Sequence, residues 1–150
     1  MTKRPDDVAQ PAHVLIVDDE CHNRDLLAVM LTAEGFALST AASGEEALAM
    51  VARRPPDLVL LDVMMPRTNG YEVAATIKSD PATQHIPIIM VPALDDHADM
   101  MEALRAGAEG FLTRPVDRAE LCVRVRNLLR LKMYGDYGRW YVARQRASEA

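Results

Sequence analysis

The chain has 150 residues, of which 49% are hydrophobic and 26% charged, a composition typical of one globular domain. Its formal net charge of −5 argues against a general nucleic-acid surface. The longest uncharged run, residues 86–94, is too short to span a bilayer. Cys21 and Cys122 show neither the spacing of metal ligands nor a secretory disulfide pattern. We therefore expect a cytoplasmic protein whose domain contacts neither nucleic acid nor membrane.

The first third of the chain contains a leader, two strands and a helix. Residues 1–12 combine charged residues with two prolines and have no apolar core, which predicts a disordered leader rather than a signal peptide. Residues 14–17 are a short apolar run, typical of a buried strand. A helical period predicts a helix over 23–34, closed by Gly35. The second strand is predicted over 36–42.

The rest of the chain continues the alternation of helix and strand. Ser43, with Glu46 three positions later, is a capping box that opens a helix ended by Pro55 and Pro56. A continuous apolar run then leads to Asp62. The later predicted elements are helix 71–79, strand 86–91, helix 95–106, strand 109–113 and helix 117–131. This alternation predicts an α/β protein with a parallel sheet.

Two of the predicted strands end in acidic residues. Asp18 and Asp19 follow the first strand, and Asp62 ends the third. Parallel strands bring such ends to one edge of the sheet, where two unit charges ~4 Å apart cost on the order of 4 kcal/mol at an effective dielectric constant near 20. We therefore expect Mg²⁺ at this edge and a carboxylate able to attack phosphorus. The alternative is that each acid only caps a helix or begins a turn.

Three segments resemble the receiver domain of two-component response regulators. They are Val-Asp-Asp-Glu at 17–20, Leu-Leu-Asp-Val-Met-Met-Pro-x-x-x-Gly at 60–70, and Gly-Ala-Glu-Gly-Phe-Leu-Thr-Arg-Pro at 107–115. The resemblance covers about residues 13–131 and is greatest to receivers that precede cyclic-di-GMP enzymes. It implies a doubly wound, flavodoxin-like sheet of five parallel strands that carries a phosphoryl group on one Asp.

The resemblance also implies roles for individual residues. Asp62 would be the phosphoacceptor, phosphorylated by a sensor histidine kinase. Asp19 would bind Mg²⁺ directly and Asp18 through water, and the backbone carbonyl of Met64 would add a ligand. The Ala93 backbone N–H and the Arg114 side chain would contact the phosphoryl group. Such a domain is mainly a signalling phosphoacceptor that catalyses its own phosphorylation and dephosphorylation.

The sequence departs from the family's pattern at the residues that sense the phosphoryl group. Arg114 replaces the usual Lys, and Pro92 stands where the family has Thr or Ser. Phe111, at the position of that residue's aromatic partner, also lacks a hydroxyl. We expect the domain still to accept a phosphoryl group, but with a weaker coupling between the site and the distant face of the domain. The resemblance further implies a cis bond before Pro115.

Two positions bear on the lifetime of the phosphorylated form. Met64 and Leu94 stand where the family's residues flank the approach of the hydrolytic water. Because neither side chain can orient water by hydrogen bonding, we expect slow self-dephosphorylation.

Two other functions remain open at the sequence level. A degenerate receiver would act as a protein-interaction module without phosphate, and Pro92 and Arg114 favour it. A freestanding Mg²⁺ phosphohydrolase would need a second acid two residues after Asp62, where Met64 stands.

Residues 132–150 form a predicted linker-like helical tail. An aromatic stripe of roughly helical spacing continues from the fifth helix, although Gly135 and Gly138 weaken a helix by ~1 kcal/mol each relative to Ala. The stripe comprises Leu128, Leu131, Tyr134, Tyr137 and Tyr141, with Trp140 beside it. The tail either folds back on its own domain or leads to a C-terminal output domain, a downstream protein or a homodimer partner.

Overall fold

The structure is a computed structural model that describes residues 11–63, 65, 69–92 and 97–149. For residues 97–99, 137, 139–141, 143–144 and 146–149, it describes the backbone only. The strands are β1 (His13–Val17), β2 (Ala37–Ala41), β3 (Leu58–Asp62), β4 (Ile88–Val91) and β5 (Gly110–Phe111). The helices are α1 (Cys21–Thr32), α2 (Gly44–Arg53), α3 (Gly70–Ser79), α4 (His97–Arg105) and α5 (Arg118–Glu149).

The five strands form one parallel sheet in the order β2-β1-β3-β4-β5. Helices cover both faces of this sheet. Val14 and Ile16 of β1 pack with residues of α1 and α5, whereas Leu15 and Val17 pack with residues of α2, α3 and α4. Burial on both faces explains why the strands are continuous apolar runs. The predicted doubly wound, flavodoxin-like α/β fold is confirmed.

Several predicted boundaries differ from the observed ones because local hydrogen bonds intervene. Helix α1 begins and ends two residues earlier than predicted, and Gly35, with φ +87°, closes the turn that follows it. Strand β4 begins two residues later than predicted, since the Ile86 N–H donates to the Thr83 carbonyl in the preceding turn. Strand β5 is only two residues long, because its ladder pairs only Gly110 and Phe111 with β4.

Helices α2 and α3 begin close to their predicted starts. Helix α2 has the predicted Ser43 cap, whose hydroxyl accepts the Glu46 N–H at 3.1 Å, but the Glu46 carboxylate accepts the N–H of Ala42, one residue before the N-cap, at 3.1 Å. Helix α3 begins one residue earlier than predicted, at Gly70. Residues 95 and 96, the predicted start of the fourth helix, lie outside the described residues.

Helix α5 is 32 residues long and runs without interruption through Gly135 and Gly138. The predicted fifth helix, 117–131, is therefore only its first part, and the predicted tail is helical. Packing of Leu121 and Val125 against the sheet fixes the first part. From Leu131 onwards, the described large apolar side chains are exposed, namely Leu131, Met133, Tyr134 and Val142. In the part of the chain that the structure describes, no helix has the length and apolarity to cross a membrane.

Candidate functional site

The acidic residues predicted at two strand ends lie together. Asp18 follows β1 and Asp62 ends β3, and these strands are neighbours in the sheet. One carboxylate oxygen from each of Asp18, Asp19 and Asp62 lies within 4.8 Å of the other two. Asp18 is 2% exposed and Asp62 is 5% exposed, whereas Asp19 faces solvent. The site is therefore an acidic cluster that is open on the side of Asp19.

Asp18 is held in place by its backbone and by the first turn of α1. Its N–H donates to the Ala41 carbonyl at 3.1 Å, and its Oδ1 accepts the Glu20 N–H at 2.9 Å. Arg24 donates from Nη1 to the Asp18 carbonyl at 2.7 Å. Arg24 was not among the predicted site residues. Its place in the first helical turn after the acids is the only sequence signal for this contact.

Arg114, which follows the outermost strand β5, supplies positive charge to the acidic cluster. Its Nη2 lies 3.1 Å from Oδ1 of Asp62 and 3.4 Å from Oδ2 of Asp18. The side chain is 32% exposed, so its guanidinium reaches the buried carboxylates from a partly solvated position. The bond between Arg114 and Pro115 is cis, as the resemblance implied.

Gly70 lies directly against the backbone of Asp62. A Cβ at this position would be 2.4 Å from the Asp62 carbonyl oxygen and 2.9 Å from Cα of Val63. The Gly70 N–H also donates to the Val63 carbonyl at 3.0 Å. The Asn69 side chain accepts the Glu72 N–H at 3.0 Å and caps α3. Glycine therefore allows α3 to begin close behind the acidic strand end.

The atypical positions Pro92 and Phe111 lie in neighbouring strands or at their ends. Pro92 is buried and follows Val91, which is aligned with Asp62 across the β3–β4 pair. It offers neither a hydroxyl nor an N–H at this edge. Phe111 is partly buried in β5, opposite Met90. Met64, Ala93 and Leu94, the other predicted site residues, lie outside the described residues.

The cluster has donors that fit Mg²⁺. Carboxylate oxygens are hard ligands, and Mg²⁺ is commonly held by one or two of them together with waters and phosphate oxygens. Asp18, Asp19 and Asp62 would hold the ion, with solvent access on the side of Asp19. The partly exposed Arg114 balances part of the negative charge but leaves the third carboxylate, Asp19, without a described ion pair.

Comparison with curated proteins identifies relatives over most of the chain. The response regulator PleD of Caulobacter vibrioides is 48% identical over 125 residues, which cover 83% of this chain and 28% of PleD. The phosphate regulon transcriptional regulatory protein PhoB of Pseudomonas aeruginosa is 39% identical over 123 residues, covering 82% of this chain and 54% of PhoB. The chain therefore spans only about a quarter to a half of these relatives' lengths.

Solved structures share the fold. A response regulator from Chloroflexus aurantiacus superposes with a TM-score of 0.78 at 35% identity, covering 80% of this chain and 98% of that one. The chemotaxis protein CheY4 of Vibrio cholerae gives a TM-score of 0.74 at 29% identity, covering 79% and 98%. The family model for the response regulator receiver domain matches residues 14–126. The chain therefore belongs to the family of response regulator receiver domains.

Proposed function

We propose that this receiver accepts a phosphoryl group on Asp62 from a sensor histidine kinase and relays the signal through a changed interaction surface. The observation that carries the proposal is the environment of Asp62. Its carboxylate is almost fully buried at the edge of the sheet, beside the oxygens of Asp18 and Asp19, and it accepts a hydrogen bond from Arg114. Asp18 is the only other described acid with this burial and this cation, and its Oδ1 accepts the Glu20 N–H at the start of α1.

The reaction requires Asp62 to act as the nucleophile. Its carboxylate oxygen forms a bond to phosphorus as the bond from phosphorus to the donor nitrogen breaks, and the leaving imidazole takes up a proton. Mg²⁺, when bound, offsets the negative charge of the phosphoryl oxygens. Arg114 already contacts the carboxylate and lies where it can follow an oxygen of the transferred group. Arginine can bind two phosphoryl oxygens through paired hydrogen bonds, although its guanidinium is bulkier than the ammonium group of lysine.

Phosphorylation by a small donor tests the proposal. Incubation with acetyl phosphate and Mg²⁺ should add one phosphoryl group to the intact protein, as measured by mass spectrometry. Asp62→Asn should abolish this addition, whereas Asp25→Asn, which removes an exposed carboxylate on α1, should not. A natural protein that takes up no phosphoryl group from this donor or from a kinase would instead support the phosphorylation-independent interaction module.

We further propose that the second part of α5 links this receiver to a C-terminal output domain in the cytoplasm. The helix continues for about 27 Å beyond Leu131. Exposed Tyr134 and Val142 on this part, with Leu131 at its start, provide apolar surface for another domain. The curated relatives that are longer than this chain support the proposal. Light scattering of the isolated chain tests it: a monomer supports the linker, whereas a dimer disrupted by Tyr134→Lys would show that the helix pairs with a second copy.

A further inference from the structure

A cavity lies at the edge of the sheet opposite the acidic cluster, where the strands begin. Its volume is about 280 Å³. Residues of β1 and β2, of the end of α2 and of the segment before β3 form its walls, namely His13, Leu15, Ser39, Met50, Arg53, Arg54 and Pro56. Since Asp18 and Asp62 lie at the other end of the strands, the cavity is separate from the phosphorylation site.

The cavity combines an apolar wall with two cationic side chains. Leu15, Met50 and Pro56 provide the apolar surface. Arg53 and Arg54 are exposed at its rim, and among the described residues neither forms an ion pair. A mostly apolar lining with a few polar groups is typical of sites that bind small molecules.

Asp57, which follows the cavity residue Pro56 in the sequence, already has a hydrogen-bond donor and a cation as partners. Asp57 accepts the His13 backbone N–H at 2.8 Å through Oδ2, and its Oδ1 lies 3.5 Å from Nζ of Lys132 on α5. Its negative charge is therefore shared with Lys132 and with the start of β1. Arg53 and Arg54 are therefore the cationic side chains of the cavity that are available to an anion from solution.

His13 contributes a polar group whose hydrogen bonding is incomplete. Its Nε2 lies 2.6 Å from the Ser39 hydroxyl. Its Nδ1 is buried and has no hydrogen-bond partner among the described residues. His13 and Ser39 therefore add a hydrogen-bonded polar pair to the wall of the cavity.

We propose that this cavity binds a small organic anion with an apolar body, such as an aromatic carboxylate. The guanidinium groups of Arg53 and Arg54 hold the anionic group, because arginine binds carboxylates through paired, charge-assisted hydrogen bonds. The body of the ligand packs against Leu15, Met50 and Pro56. His13 lines the same space from the sheet.

Titration with 2-naphthoate, followed by amide chemical shifts of the isotope-labelled full chain, tests the proposal. The shifts should saturate and concentrate at His13, Leu15, Ser39 and Asp57. The double variant Arg53→Gln/Arg54→Gln should weaken binding by roughly tenfold or more, because it removes the charged hydrogen-bond donors. The neutral analogue 2-naphthamide should bind the natural protein weakly for the same reason.

Matched controls separate this site from general charge effects and from phosphorylation. Arg105→Gln/Arg118→Gln removes the same charge from exposed positions on α4 and α5 and should leave binding unchanged. Asp62→Asn should also bind naphthoate normally, so the result does not depend on the proposed phosphoacceptor. Shifts that do not saturate, equal weakening in both double variants, or equal binding of the neutral amide would overturn the proposal.

Discussion

The guanidinium of Arg114 donates a hydrogen bond from Nη2 to Oδ1 of Asp62 at 3.1 Å. The same nitrogen lies 3.4 Å from Oδ2 of Asp18, so one cation bridges two buried carboxylates from neighbouring strands. A bound divalent cation would relieve the same repulsion between like charges. Arg114 and Mg²⁺ are therefore expected to have overlapping electrostatic effects on stability.

Replacing Arg114 should expose this overlap. Without metal, Arg114→Gln should lower the free energy of unfolding by about 1–3 kcal/mol, because it leaves the two acids without their hydrogen-bonded cation. Saturating Mg²⁺ should restore most of the loss. Urea unfolding with a chelator and with Mg²⁺ measures both effects. Arg118→Gln, at an exposed position, should show neither; a loss in Arg114→Gln that Mg²⁺ does not reduce would contradict the shared role.

Removing the exposed acid of the cluster should weaken Mg²⁺ binding. Asp19→Asn keeps the shape of the side chain but removes a unit charge near the metal position, so we expect affinity to fall roughly tenfold or more. Isothermal titration with Mg²⁺ provides the measurement. Asp25→Asn is the control for net charge, because it removes an exposed carboxylate from α1. Equal affinity in Asp19→Asn and the natural protein would exclude Asp19 as a ligand.

Two glycines should respond in opposite ways to alanine. Gly70→Ala places a Cβ 2.4 Å from the Asp62 carbonyl oxygen, and relieving that overlap should cost about 1–3 kcal/mol of unfolding free energy or more. A Cβ on Gly138 has no atom within 4 Å among the described residues. Gly138→Ala should raise helix content without lowering stability, as alanine favours a helix interior by ~1 kcal/mol. Circular dichroism and urea unfolding compare the two; similar stability would rule out the tight contact.

Pro92→Thr should strengthen the response to phosphorylation. A hydroxyl at this buried position can follow the phosphoryl oxygen and contribute ~1.5–3 kcal/mol for a hydrogen bond to a charged group. We expect larger phosphorylation-induced amide shifts around α4 and β5 than in the natural protein. Pro92→Val, which has nearly the same shape as Thr but no hydroxyl, is the control. If Val and Thr increase the shifts equally, the missing hydroxyl does not limit the switch.

His13 should make stability depend on pH. Burial lowers the pKa of His13 from its ordinary value of 6.5, the charge of Arg54 lowers it further, and Asp57 opposes this. The unfolded chain therefore binds a proton more readily than the folded one, so stability should fall as the pH decreases through 6.5 and towards the folded pKa. Urea unfolding at about pH 7.5 and about pH 5.5 should show a smaller decrease in His13→Gln. His22→Gln, at an exposed position, should retain the full decrease; an unchanged profile in His13→Gln would assign the effect to other groups.

The sequence by itself determined the order of elements and the acidic edge. The apolar runs of the strands, the capping residues Ser43 and Glu46 and the helical periods are local signals, readable over a few residues. The acids at the ends of β1 and β3 were predicted to meet because parallel strands align their ends. These inferences required no knowledge of which distant side chains pack together.

Only the tertiary structure decided the contacts made across the chain. Arg24 reaches the Asp18 carbonyl and Gly70 lies against Asp62 because α1 and α3 begin close behind the ends of β1 and β3, a placement that the sequence pattern does not specify. The cavity beside His13 likewise depends on how the end of α2 meets β1 and β2. Helix α5 continues through Gly135 and Gly138, although each weakens it by about 1 kcal/mol. The i, i+4 ion pair between Lys132 and Asp136 offsets only part of that local cost, since such a pair contributes about 0.2–0.5 kcal/mol.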